Sequence, residues 1–315
     1  MLGQWESALS EGQVYDASLF RPLTKEVDRE ELAGPSLTFW QEVWRRLSRN
    51  PVALASLGFL ILVVAYALLV PALSPYRDVN LDLANARLAP SWDHPFGTDT
   101  FGRDLFFRVA QGARISLFIA FAATTIDLLI GVFLGALAGL RGGVTDSVVM
   151  RTIEVLSGVP WLIMVILLML YLGSGLFTMI VAMAITGWTT MARLVRGQVL
   201  ALKNQEFVFA ARALGASTWR ILWHHLFPNV LGIVVVRLTM NIPAVIFTEA
   251  ALSFIGLGLQ PPLASWGVLV NDGWRVLEIL PWTFFFPALA ITLTSLAFNL
   301  LGDALRDAID PRLRV

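Results

Sequence analysis

The chain has 315 residues, 23 basic and 23 acidic side chains and no cysteine, with 57% of it hydrophobic and only 15% charged, where soluble domains carry roughly 25% charged residues. A water-soluble enzyme is excluded by that balance, and a net charge of zero offers no clustered basic surface to nucleic acid. The missing cysteines remove disulfide frameworks, iron–sulfur ligation and thiolate zinc sites.

The three histidines, His94, His224 and His225, build no metal site, because neighbours on a helix diverge by about 100°. No metal is expected, and no cofactor in this chain. The two lysines, Lys25 and Lys203, follow Thr24 and Leu202 instead of the glycine of a phosphate-binding loop. If ATP drives this protein, another chain binds it.

Residues 1–36 are polar and acidic with no apolar h-region, which predicts a cytosolic tail in place of a cleaved signal peptide. Over 37–51, Leu37, Trp40, Val43, Trp44 and Leu47 recur at helical spacing beside Arg45, Arg46 and Arg49. This is the pattern of an interfacial amphipathic helix, either a membrane anchor or a brace against a partner subunit.

Six stretches then reach the roughly 20 apolar residues of a spanning helix: 52–73, 115–140, 148–172, 176–192, 229–252 and 282–301. The fold class is an all-α polytopic membrane protein, with a six-helix domain over 52–303 and a short tail over 304–315. Arginines and lysines such as Arg45, Arg141, Arg151, Arg193, Arg196, Lys203 and Arg220 gather on one side, against Arg77, Arg87, Arg103, Arg108, Arg114 and Arg275 on the other. The richer side is the cytosol, which holds both termini. Trp161, Trp188, Trp266, Trp274 and Trp282 fall near the ends of spans, where an aromatic belt is expected.

Two outer segments, 74–114 and 253–281, are too long to be turns. In the first, Asp99 and Asp104 read as turn formers and helix caps in preference to calcium ligands. That structural reading is compatible with a surface, including Arg103, that docks a soluble extracytoplasmic partner. The inner segment 193–228 is the long one on its side. A short helix over 205–214, with Ala210 and Ala211 admitting a close neighbour and Gly215 as its C-terminal cap, precedes a second helix capped by Ser217 or Thr218 and running to Leu226. Pro228 is expected to break the chain before the next span.

Acids inside spans are functional candidates because each costs roughly 2.5 to 3.5 kcal/mol on insertion scales. Asp127 lies midway in the second span, either as a pathway or proton site or as a carboxylate bonded to a neighbouring helix. Glu249 follows Pro243, which frees backbone carbonyls in mid-span. It is the acid best placed to line a path for a peptide's amino terminus, with packing against a buried partner as the alternative.

Phe209-Ala210-Ala211, then Gly215, then Leu226-Phe227-Pro228 resembles the EAA loop of binding-protein-dependent ABC importer permeases. Phe209 stands where that family usually has Glu, Phe227 where it has Leu, and Glu206 keeps an acid one turn earlier. Stretches 97–117, 191–197, 252–267 and 296–314 resemble the C-type permease of oligopeptide and dipeptide importers. The resemblance implies the type I ABC importer permease fold, with Glu206, Phe209, Ala210, Ala211, Leu214 and Gly215 as the coupling helix and no catalytic residue in the chain. It further implies a second homologous permease subunit, two cytosolic ATPase subunits that bind Mg-ATP, an extracytoplasmic peptide-binding protein, and peptide substrates, oligopeptides ahead of dipeptides. The expected location is the inner membrane of a bacterial or archaeal cell. The alternative is a self-contained proton-coupled secondary transporter using Asp127 and Glu249, but such transporters usually show repeated halves, and none is visible here.

Overall fold

The computed structural model describes residues 38–76, 81–261 and 263–309. The tail expected over 1–36, Leu37, Arg77 and the last six residues lie outside them. In chain order the helices are α1 (Phe39–Leu47), α2 (Pro51–Leu73), α3 (Leu105–Arg141), α4 (Gly143–Gly158), α5 (Trp161–Leu172), α6 (Leu176–Leu202), α7 (Glu206–Ala213), α8 (Thr218–Ile221), α9 (Phe227–Leu252), α10 (Trp266–Trp274) and α11 (Pro281–Ile309). Two π-helical turns, Leu222–Leu226 and Ser253–Leu257, flank α9. Contacts divide the chain at Glu42. In the first unit the described residues open α1, where the Thr38 N–H donates to Gln41 Oε1 at 2.9 Å, half of a capping box.

In the second unit, Val43 and Leu47 are buried with Ala53 of α2 and with Ala304 and Ala308 of α11. Helix α11 thus runs through much of the tail expected after residue 303. Among the described residues five helical runs are long and apolar enough to cross a membrane, namely α2, α3, α6, the run Thr218–Leu257 and α11, and the pair α4–α5 passes the same test as a sixth, bent span.

The third expected span, 148–172, is not one helix: α4 and α5 meet at 86°. Pro160 explains the break, since it has no N–H for the Leu156 carbonyl and holds Val159 in extended backbone (φ −87°, ψ 127°). Pro228 does the opposite of what was expected and breaks nothing. It occupies the first turn of α9, where a missing N–H costs no helical bond. The preceding π turn passes the ladder on through the Phe227 N–H to the Leu222 carbonyl. The helical run therefore begins at Thr218, eleven residues earlier than the span expected from residue 229.

Helix α3 begins ten residues before the expected boundary, capped by Asp104, whose Oδ1 accepts the Phe107 N–H at 2.7 Å. Its Gly131, Gly135 and Gly139 lie four apart on one face against α6. A Cβ at Gly131 would stand 2.6 Å from Met191 Cβ, and one at Gly135 2.4 Å from the Ala192 carbonyl oxygen. At Gly139 it would stand 2.9 Å from Val199 Cγ1. Such small-residue spacing lets two backbones approach where side chains would hold them apart.

Candidate functional site

The segment between α6 and α9 is built from local rules. Helix α7 ends in a Schellman motif: the Gly215 N–H donates to the Arg212 carbonyl at 2.9 Å and the Ala216 N–H to the Ala211 carbonyl at 3.0 Å. Gly215 has φ +81°, the left-handed conformation that a Cβ opposes. Ser217 then caps α8, its Oγ accepting the Arg220 N–H at 3.3 Å.

One face of α7 is committed to the interior. Val208 and Ala211 are buried among Ile221, Leu222 and Leu226, together with Leu140 of α3 and Val199 of α6. The other face is free. Glu206, Phe209, Ala210 and Leu214 follow the helical period and project outward, with Phe209 55% and Leu214 89% exposed. Of the residues expected to meet a partner, Ala211 therefore faces inward and supports the stripe from behind. Two polar ties hold this end of the bundle. Arg196 of α6 pairs with Asp146 of α4, its second nitrogen 2.6 Å from Asp146 Oδ2, and Lys203 Nζ donates to the Gly139 carbonyl at 2.9 Å.

The acids within spans are enclosed, and they are not together. Asp127 is 3% exposed; Asn241 Nδ2 donates to its Oδ2 at 3.3 Å, while Oδ1 has no hydrogen-bond partner. Gly187 of α6 lies against this carboxyl so closely that a Cβ there would fall 2.0 Å from Oδ2. Glu249 is 0% exposed and receives hydroxyl donors from Ser116 at 3.0 Å, Ser253 at 2.8 Å and Ser265 at 2.5 Å. Pro243 is buried one and a half turns before it. Both acids thus sit in packing contacts, facing no opening in this conformation.

At the α10 end, Asp104 is spent on its cap and on His94, whose Nδ1 lies 2.8 Å from Asp104 Oδ2. Asp99 holds its own turn together, accepting Arg103 Nε at 2.7 Å and Arg108 Nη1 at 2.9 Å. What remains open there is a cavity of about 280 Å³ rimmed by Thr100, Phe101, Arg103, Asp272 and Arg275, next to the exposed Trp274. Trp266, expected in an aromatic belt, is instead 1% exposed, its Nε1 donating to the Val109 carbonyl at 2.9 Å. Trp188 is likewise buried and donates to the Ile185 carbonyl.

Residues 131–315 match the binding-protein-dependent transport system inner membrane component family, and residues 38–90 match the N-terminal transmembrane domain of oligopeptide transport permease C. The chain belongs to this permease family. It is 51% identical over 295 residues to the dipeptide transport system permease of Bacillus subtilis, covering 93% of this chain and 92% of that one. To the oligopeptide transport system permease of the same organism it is 49% identical over 298 residues, covering 94% and 98%. To a glutathione transport system permease of Pectobacterium atrosepticum it is 42% identical over 278 residues, covering 88% and 92%. The permease is a multi-pass inner-membrane protein with the all-helical fold expected of it.

Proposed function

We propose that the permease is one of two unlike membrane subunits of an ATP-binding cassette importer that carries peptides inward by alternating access, oligopeptides ahead of dipeptides. Two cytosolic ATPases hydrolyse Mg-ATP, and an extracytoplasmic binding protein delivers the peptide. Both termini and the α7–α8 loop face the cytosol. The observation that carries this reading is the outward stripe of α7. Phe209 and Leu214 are large apolar side chains left exposed on a short helix beyond the membrane spans, and an exposed apolar patch of this kind marks a docking site. The stripe is also mechanically coupled, because the chain passes from it through a capped turn into the Thr218–Leu257 run. An ATPase seated there moves a span directly, provided nucleotide and peptide favour different states.

The peptide reading is supported by the transport that these relatives are named for, and the preference for longer peptides by the match of residues 38–90 to an oligopeptide permease domain. The rim at Phe101, Arg103, Asp272 and Arg275 is the surface offered to the binding protein.

Purification of the tagged permease with its co-expressed genomic neighbours tests the assignment, comparing the native chain with Ala210→Glu, which buries a charge under any docked partner without entering the core. Co-purification of an ATPase with the native chain and its loss with the variant is the expected result. Vesicles holding the native complex should accumulate penta-alanine faster than di-alanine. Recovery of no ATPase, with uptake by this chain alone following a proton gradient, overturns the assignment.

A further inference from the structure

Glu249 is the most enclosed carboxylate among the described residues, and its surroundings are ordered to a degree that packing alone does not require. The Ser116 Oγ accepts the Trp266 N–H at 3.1 Å, so its proton is left for Glu249 Oε2. The Ser265 Oγ accepts the Val268 N–H at 3.3 Å as the cap of α10, so its proton is left for Oε1. Ser253, one turn after Glu249, supplies the third hydroxyl. The three donors come from three separate elements: the first half of α3, the π turn that ends the α9 run, and the lead into α10.

Other contacts reinforce the same junction. Asn271 of α10 donates to the carbonyls of Ser253 and Phe254 in the π turn at 2.8 and 2.9 Å. A Cβ at Gly267 would lie 2.6 Å from Ala250 Cα, so the two backbones touch. Apolar contact is non-directional and lets helices slide, whereas a buried carboxylate with aimed hydroxyls holds one geometry, since each lost donor leaves a desolvated acceptor.

The geometry points to Glu249, with Ser116, Ser253 and Ser265, as the joint that makes α10 and the Thr218–Leu257 run move as one body. Glu249 is then a positioning residue for transport, meeting no peptide itself. Through it, docking of the binding protein at the α10 face is transmitted along one continuous helical run to the ATPase loop at the far end. This inference rests on the importer reading proposed above.

The test uses the whole complex in nanodiscs, with binding protein loaded with tri-alanine as the titrant and ATPase rate as the readout. Ser253→Ala deletes one hydroxyl and nothing else, and Glu249→Gln places an amide donor against hydroxyl protons. In both, the basal ATPase rate and the half-saturating concentration of binding protein should stay within twofold of native, while the maximal stimulated rate falls at least fivefold. Native maximal stimulation in Ser253→Ala overturns the joint, and so does a rise in half-saturating concentration that accounts for the whole loss, because the docking face would then be what was damaged. Ser253→Ala decides alone should Glu249→Gln fail to assemble. Failure of the importer reading shows in the native complex as no stimulation at all, and failure of the joint shows only as variants that match native.

Discussion

Gly215→Val isolates the turn that holds the outward stripe of α7 in place. Nothing lies within 4 Å of a Cβ built at Gly215, so the substitution meets no neighbour and its cost is conformational. At φ +81° a side chain pays about 1–2 kcal/mol relative to glycine, and β-branching makes the position worse still. The two Schellman bonds, from Gly215 to Arg212 and from Ala216 to Ala211, are made only in that conformation. A loss of about 1–2 kcal/mol shifts the formed turn against the frayed one by a factor of roughly 5 to 30. Peptide-stimulated ATPase activity of the reconstituted complex should fall by a factor in that range while insertion and subunit recovery stay native. Gly215→Asn, whose side chain tolerates the left-handed region, should retain most of the activity. Native stimulation in Gly215→Val at native subunit recovery would refute the claim that this turn fixes the coupling surface.

Three further outcomes follow from the packing. Gly187→Ala drives a Cβ into the Asp127 carboxyl and should lower the melting temperature in detergent, by overpacking worth about 1–3 kcal/mol. Adding Asp127→Ala should recover most of the loss, and a double variant no more stable than Gly187→Ala contradicts the contact. Asp127→Asn alone should keep most peptide uptake, because the site is a packing contact with Asn241; complete loss at normal assembly would make Asp127 part of the pathway. Asp104→Ala should destabilise the α10 end by about 0.5–2 kcal/mol for the lost cap, with Asp104→Ser recovering that share but not the His94 contact, as read from thermal unfolding.

The elements legible in the sequence are those whose signal is local. Gly215 after a short periodic segment, Ser217 before the next, and Asp104 ahead of α3 each announce a cap, and each is found as one. Proline was the ambiguous signal. Pro160 and Pro228 look alike in a sequence, yet the first breaks a span and the second opens a helix, because a π turn five residues long precedes Pro228 and none precedes Pro160. The seam of Gly131, Gly135 and Gly139 carries the small-x-x-x-small spacing and could have been found from that alone. The hydroxyls around Glu249 could not. Ser116 and Ser265 lie 133 and 16 residues from it, and serine in an apolar helix has no periodic signature. Exposure was likewise hidden: Ala210 and Ala211 are identical letters, and only packing against Ile221, Leu222, Leu226, Leu140 and Val199 decides that one faces out and the other in.

The glycine seam also constrains how this chain can change in length. One residue inserted or deleted between Gly131 and Gly139 rotates everything beyond it by about 100°, carrying the later glycines off the contact line; an insertion between Gly131 and Leu134 turns Leu134 toward the Ala192 carbonyl. No rotamer adjustment absorbs that, since at Gly135 the obstacle is backbone. The nine residues from Gly131 to Gly139 therefore behave as a reading frame set in three dimensions. Length changes are therefore expected in linkers such as 173–175, and composition within the seam is open at the exposed Phe133 but not at Val132, Ala136 and Ala138, which are buried.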